Sequence, residues 1–123
     1  IIIIATDAPL LPSQLKLVAR RAAMGIARTG SFAHNGSGDI FFAFSTASPM
    51  NNAKGTHQQW NVLSKDALDP VYKATVEATE ESVLNALVAA ETMTGLNGNT
   101  FYAIPQDQLK AILKKYIMLV EPK

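Results

Sequence analysis

Ile1-Ile2-Ile3-Ile4-Ala5-Thr6 runs straight into Asp7-Ala8-Pro9, and the fold is read outward from this stretch. The run is short, rich in β-branched residues and apolar without alternation. That pattern predicts a central strand buried on both faces, the kind that lies between layers of helix. Asp7, Pro9 and Pro12 punctuate it. Ser13 to Arg28 then carries helical periodicity, with Leu15, Val18, Ala19, Ala22 and Ile26 on one stripe and Lys16 and Arg20 off it. Pro12 suits the first turn of this helix, and Thr29-Gly30 ends it.

Ser31 to Gly38 is a loop rich in Gly, Ser and Asn, and Ile40 to Phe44 is a second apolar strand. Ser48 to Asp69, with Pro49, Gly55 and His57, is the least regular stretch and reads as a surface excursion. Asp69-Pro70 starts a long helix whose buried face is expected at Val76, Val83, Leu84, Leu87 and Val88, with Gly95 as its stop. Leu96 to Asn99 is a turn and Thr100 to Ile104 a short strand. Pro105 opens a last helix carrying Leu109, Ile112, Leu113 and Tyr116. Doubly buried strands need helices on both faces, so the class is α/β. The strands are few for the helices present, so the sheets are expected to be completed by another polypeptide. No repeat, low-complexity tract or internal boundary divides residues 1–123, which read as part of one domain.

The composition narrows the function. The 123 residues are 48% apolar, enough for a substantial core, and the net charge is +1. Nucleic acid and anionic membrane need a basic footprint that this balance does not supply, so neither is expected as a partner. The absence of cysteine excludes disulfides and thiolate metal sites. No apolar run reaches the length of a membrane span, and Ile1 to Ile4 lacks the basic flank of a secretory signal. The compartment stays open. A first residue that is already core material suits a chain cut from a precursor, and equally a trimmed terminus.

Phosphate-loop, dinucleotide and His-Glu-x-x-His motifs are absent. No cofactor or metal is expected: His34 and His57 read as solvated loop histidines with no second ligand at metal spacing. Asn35-Gly36-Ser37-Gly38-Asp39 stands directly before the second strand. A hydroxyl and a carboxylate two residues apart share a face if strand pairing reaches them, and the carboxylate then orients the serine to relay to a nucleophile. The same residues are also ordinary turn chemistry. Glu77, Glu80 and Glu81 read as a solvated helix face. Glu91 carries no case for catalysis. Arg20-Arg21 and Lys114-Lys115 suit surface solvation or subunit pairing. Trp60, the only tryptophan, suits a pocket, an interface or a satellite core.

Four stretches together resemble the small subunit of the L-aminopeptidase/D-esterase family, which includes β-peptidyl aminopeptidases. They are Ala5-Thr6-Asp7-Ala8-Pro9-Leu10-Leu11-Pro12; Ala19-Arg20-Arg21-Ala22-Ala23 running to Ala27-Arg28-Thr29-Gly30-Ser31; Ser37-Gly38-Asp39 continuing to Ala43-Phe44-Ser45-Thr46; and Ala78-Thr79-Glu80-Glu81 through Asn85-Ala86-Leu87 to Ala90-Glu91-Thr92-Met93-Thr94-Gly95. The resemblance thins across Ser48 to Tyr72. It implies an αββα sandwich formed with a larger N-terminal subunit of the same precursor, with further association of these units. The precursor cuts itself before a serine, which becomes an N-terminal nucleophile with its own α-amine as base. That serine is expected one or two positions before Ile1. The resemblance gives Ser37 and Asp39 catalytic roles: Ser37 approaches the nucleophile, and Asp39 orients it where some members carry Glu. Groups holding the substrate amine and the oxyanion are expected on the larger subunit. The implied activity is release of N-terminal residues from small peptides, amides or esters with a free amino group. Two alternatives are acetyl transfer or nylon-oligomer hydrolysis by a threonine nucleophile, and a non-catalytic interaction subunit.

Overall fold

The computed structural model describes residues 1–47 and 60–116. Most of the predicted surface excursion, with Pro49, Gly55 and His57, lies outside the described residues. The chain forms two compact units, one from Ile1 to Val83 and one from Leu84 onward.

In the first unit, β1 (Ile2–Thr6) and β2 (Phe41–Ser45) pair in parallel, with Ile2 opposite Phe41 and Thr6 opposite Ser45. The parallel crossover between them is α1 (Pro12–Arg28), as short parallel strands require. Both strands alternate in exposure. Ile2, Ile4, Thr6, Phe41, Ala43 and Ser45 are half-buried, whereas Ile3 is 65% and Phe42 56% exposed. The expectation of strands covered on both faces is therefore met on one face within this chain. Leu10, Val18 and Leu68 form the core, with Ile4, Leu15, Ala43, Leu63, Val71 and Tyr72 packed against it.

Polar contacts tie the start of α1 in place. Leu11 cannot cap with its side chain, so Gln14 reaches back and its Oε1 accepts the Leu11 N–H at 2.8 Å. The Gln14 amide donates in turn to the Leu63 carbonyl at 2.8 Å. Ser45 Oγ donates to the Ala8 carbonyl at 2.5 Å, fixing the turn after β1 to the end of β2.

A long helix, α2 (Asp69–Ala89), begins at Asp69-Pro70 as the sequence predicts. Its buried positions are Thr75, Val76 and Thr79: Val76 is buried as expected and Val83 is partly buried, whereas Leu84, Leu87 and Val88 are about half exposed. The reason is steric. A Cβ on Gly25 of α1 would stand 2.6 Å from both the Val76 carbonyl oxygen and Thr79 Cβ, so the two helices approach through small residues. The threonine hydroxyls are satisfied by back-bonding: Thr75 to the Val71 carbonyl at 2.8 Å and Thr79 to the Thr75 carbonyl at 2.7 Å. Glu80 also departs from the solvated face expected of it, pairing with Arg28 at 3.0 Å.

In the second unit, a two-residue antiparallel pair joins β3 (Met93–Thr94) to β4 (Thr100–Phe101). The predicted helix stop at Gly95 is displaced, because α2 ends at Ala89. Gly95 serves the hairpin instead, its N–H donating to the Asn99 carbonyl at 2.8 Å. The strand predicted to reach Ile104 stops at Phe101; the Ala103 N–H bonds Thr92 Oγ1 at 3.1 Å. Pro105 precedes the last described helix, α3 (Gln106–Lys115).

Candidate active site

The site is assembled where α1 ends and β2 begins. Two bonds close α1: Gly30 N–H to the Ala27 carbonyl at 3.1 Å and Ser31 N–H to the Ile26 carbonyl at 3.4 Å. This is a Schellman termination, and it needs the left-handed conformation that Gly30 adopts at φ +101°. The chain is thereby turned so that Ser31 and Phe32 face back across the helix end. A cavity of about 460 Å³ results, lined by Ile26 and Ala27 of α1, Ser31 and Phe32 after it, and Ser37 and Asp39 ahead of β2. The lining is mostly apolar, with the hydroxyls and the carboxylate gathered at the loop.

The sequence analysis expected Ser37 and Asp39 to share a face through strand pairing. The structure brings both to one cavity, but by another route. β2 begins only at Phe41, and Gly38 between them sits at φ +62°. A left-handed glycine interrupts the extended backbone, and the turn aims both side chains at the same space. No hydrogen bond joins the Ser37 hydroxyl to Asp39 among the described residues, and both residues are exposed.

The loop ahead of them is ordered by its own polar groups. His34 Nδ1 accepts the Gly36 N–H at 3.1 Å, and the His34 carbonyl accepts the Ser37 N–H at 2.9 Å. Ser31 Oγ accepts the Ala33 N–H at 3.3 Å, supporting Ala33 at φ +50°. Phe32 stacks at a tilt on His34, ring centroids 6.0 Å apart. Sequence reasoning missed Phe32 and the role of His34. The helix stop at Thr29-Gly30 was the available signal, since it locates the next two residues at the helix end.

Ile2 stands beside the end of that loop. Ile2 N–H donates to the Ile40 carbonyl at 2.9 Å, so the parallel pairing runs right up to Ile1. A second cavity on α1 is lined by Arg21, Arg28, Tyr72 and Lys73 among others, with the Arg21 guanidinium 4.4 Å from the centre of the Tyr72 ring. Arg21 is thus a packed cation and not a purely solvated one. Trp60 is half exposed, Glu91 is exposed, and the Lys115 ammonium lies over Tyr116 at 5.5 Å.

The comparisons with known proteins agree with this arrangement. The profile of Peptidase family S58 matches residues 1–101. The β-peptidyl aminopeptidase BapA of Sphingosinicella microcystinivorans is 48% identical across the whole of this chain, which corresponds to 31% of that protein. Among solved structures, the L-aminopeptidase D-Ala-esterase/amidase of Ochrobactrum anthropi superposes with a TM-score of 0.85 at 42% identity, over 96% of this chain and 34% of that one. It is described as a prototype for the serine aminopeptidases and a variant of the Ntn hydrolase fold. A protein of Pyrococcus horikoshii superposes with a TM-score of 0.90 at 45% identity, covering 95% of this chain and 33% of its own. The chain thus spans about a third of the length of these relatives, and its mixed helices and strands resemble that part of the Ntn hydrolase fold of the Ochrobactrum anthropi enzyme. A family profile matched over most of the sequence, together with a relative this similar over its full extent, places the chain in peptidase family S58.

Proposed function

We propose that this chain supplies one part of the catalytic site of a self-processing serine aminopeptidase, which releases N-terminal residues from small peptides, amides or esters with a free amino group. The observation that carries the reading is the register of β1 on β2. The pairing reaches back from Ile2 opposite Phe41 to the Ile2 N–H bond with the Ile40 carbonyl, so chain ahead of Ile1 would run beside the end of the loop that carries Ser37 and Asp39. A serine one or two positions ahead of Ile1 would be near Ser37 and Asp39, which line the 460 Å³ cavity.

The chemistry follows from those groups. The serine hydroxyl attacks the carbonyl carbon of the scissile bond and passes its proton to the α-amine of the same residue. An α-amino group titrates at about pH 7.7–8.0, so it accepts a proton under neutral conditions. Collapse of the tetrahedral adduct breaks the bond to the leaving amine, which takes up that proton, and leaves an ester on the serine. Water hydrolyses the ester with the same amine as base. Ser37 bridges the nucleophile by a hydrogen bond, and Asp39 orients Ser37. Before self-cleavage the amine is part of a peptide bond, so the uncut precursor lacks its base.

The larger segment from the same precursor supplies a second sheet over the exposed face of β1 and β2, completing an αββα sandwich. Ile1, Ile3, Phe42 and Phe44 are apolar and uncovered there, and the relatives carry about twice as much further chain. Replacing Ser37 with Ala in the full-length processed enzyme is expected to lower kcat by roughly two to four orders of magnitude. Asp39→Asn loses less, because an amide oxygen still accepts one hydrogen bond. Both sites are exposed, so melting temperatures stay within about 2 °C of the parent. Turnover unchanged in both variants overturns the assignment, and a collapse in melting temperature makes the residues structural.

A further inference from the structure

We infer that His34 is a positioning residue for Ser37, acting through the unprotonated Nδ1 of its imidazole. The inference rests on the reading of Ser37 as part of the catalytic relay. Ser37 follows a tight turn that His34 closes twice, once with its ring and once with its backbone. Nδ1 accepts the Gly36 N–H at 3.1 Å, and the His34 carbonyl accepts the Ser37 N–H at 2.9 Å. The ring is backed by Phe32, inclined at 59°, and stands 3.5 Å from where a side chain on Gly36 would begin. The turn therefore delivers Ser37 directly to the cavity.

An acceptor at Nδ1 must carry no proton, so the neutral ring holds its proton on Nε2. A second proton on Nδ1 sets two donors against each other, the ring N–H and the Gly36 N–H. The turn then loses the bond that fixes it, and Ser37 loses its placement. The ring is exposed, so solvent protons reach it. Charged groups on the flanking elements are Arg28 at the end of α1, engaged by Glu80 of α2, and Asp39 ahead of β2. Among the described residues, no charged group bonds the imidazole.

Asparagine separates this role from a merely structural one. Its side-chain oxygen accepts from the backbone N–H two residues on, as Nδ1 does here, and it does not titrate. The test uses the full-length enzyme, processed at neutral pH, with kcat and KM measured on an aminoacyl p-nitroanilide across the pH range. His34→Ala is expected to lower kcat about 10- to 100-fold with KM within about twofold, as misplacement of a relay group does. His34→Asn restores kcat at neutral pH to within about threefold, and its kcat falls less steeply on the acid side than the parent's because one ionisation is gone. The proposal is overturned if His34→Ala keeps the parent kcat, if Asn fails to rescue, or if the acid limbs of the parent and His34→Asn coincide. Should His34→Ala fail to fold or process, the comparison of the parent with His34→Asn still decides. Ser37→Ala, run alongside, separates the two readings. If Ser37→Ala is inactive while His34→Ala is not, only the positioning role falls. If Ser37→Ala is fully active, the relay falls, and the role of His34 with it.

Discussion

At the residue scale, the site depends on a glycine that the sequence presents as ordinary turn material. Gly38 separates Ser37 from Asp39 at φ +62°, and a Cβ there would meet nothing within 4 Å. Space is therefore not the constraint; backbone conformation is. An alanine in the left-handed region is strained by roughly 1–2 kcal/mol, and the relaxation available is rotation back toward extended backbone. Gly38→Ala is expected to lower the melting temperature slightly and to lower kcat disproportionately, because the rotation re-aims both functional groups. Parallel kinetics and calorimetry check this; a variant with full kcat and native stability contradicts it. That Ser37 and Asp39 stand near one another was legible from their spacing, and both line one cavity. The means was not, because the sign of φ at a glycine leaves no mark in the sequence, and the bond from Gly36 to His34 Nδ1 is seen only once the turn is built.

At the element scale, segments with strong boundary chemistry were read to within a residue or so. Both ends of α1 fall where Pro12 and Thr29-Gly30 put them, and α2 starts at Asp69. Of Val76, Val83, Leu84, Leu87 and Val88, expected on the buried face of α2, Val76 alone is buried, and the close approach to α1 sets Val76 and Thr79 against Gly25. Threonine reads as polar until its hydroxyl is seen bonded to the preceding turn. Gly25→Ala tests this contact. The obstructing atoms include a backbone carbonyl oxygen at 2.6 Å, which cannot move aside as a flexible side chain would. Overpacking of this kind destabilises by about 1–3 kcal/mol, expected as a lower midpoint in urea with an unchanged slope. An unchanged midpoint contradicts the packing. The Arg28–Glu80 pair at 3.0 Å offers little compensation, since its side chains are 52% and 32% exposed and such pairs contribute at most about 1 kcal/mol.

At the scale of the whole molecule, one face of a two-stranded parallel sheet is covered by α1 and the other is apolar and open. The sequence already carried this imbalance as unalternated apolar strands too few for the helices beside them. The proposed nucleophile, a serine ahead of Ile1, lies outside this sequence, and the pairing of β1 with β2 beside the Ser37–Asp39 loop is what supports it. Labelling the active, self-processed enzyme with a serine-reactive sulfonyl reagent, followed by intact mass and N-terminal sequencing of the labelled chain, tests it directly. The expected result is one label per catalytic unit, carried on an N-terminal serine one or two positions before Ile1, and no label on the uncut precursor. A labelled chain beginning with threonine moves the enzyme to a different nucleophile, and an active enzyme whose mature chain begins at Ile1 contradicts the account.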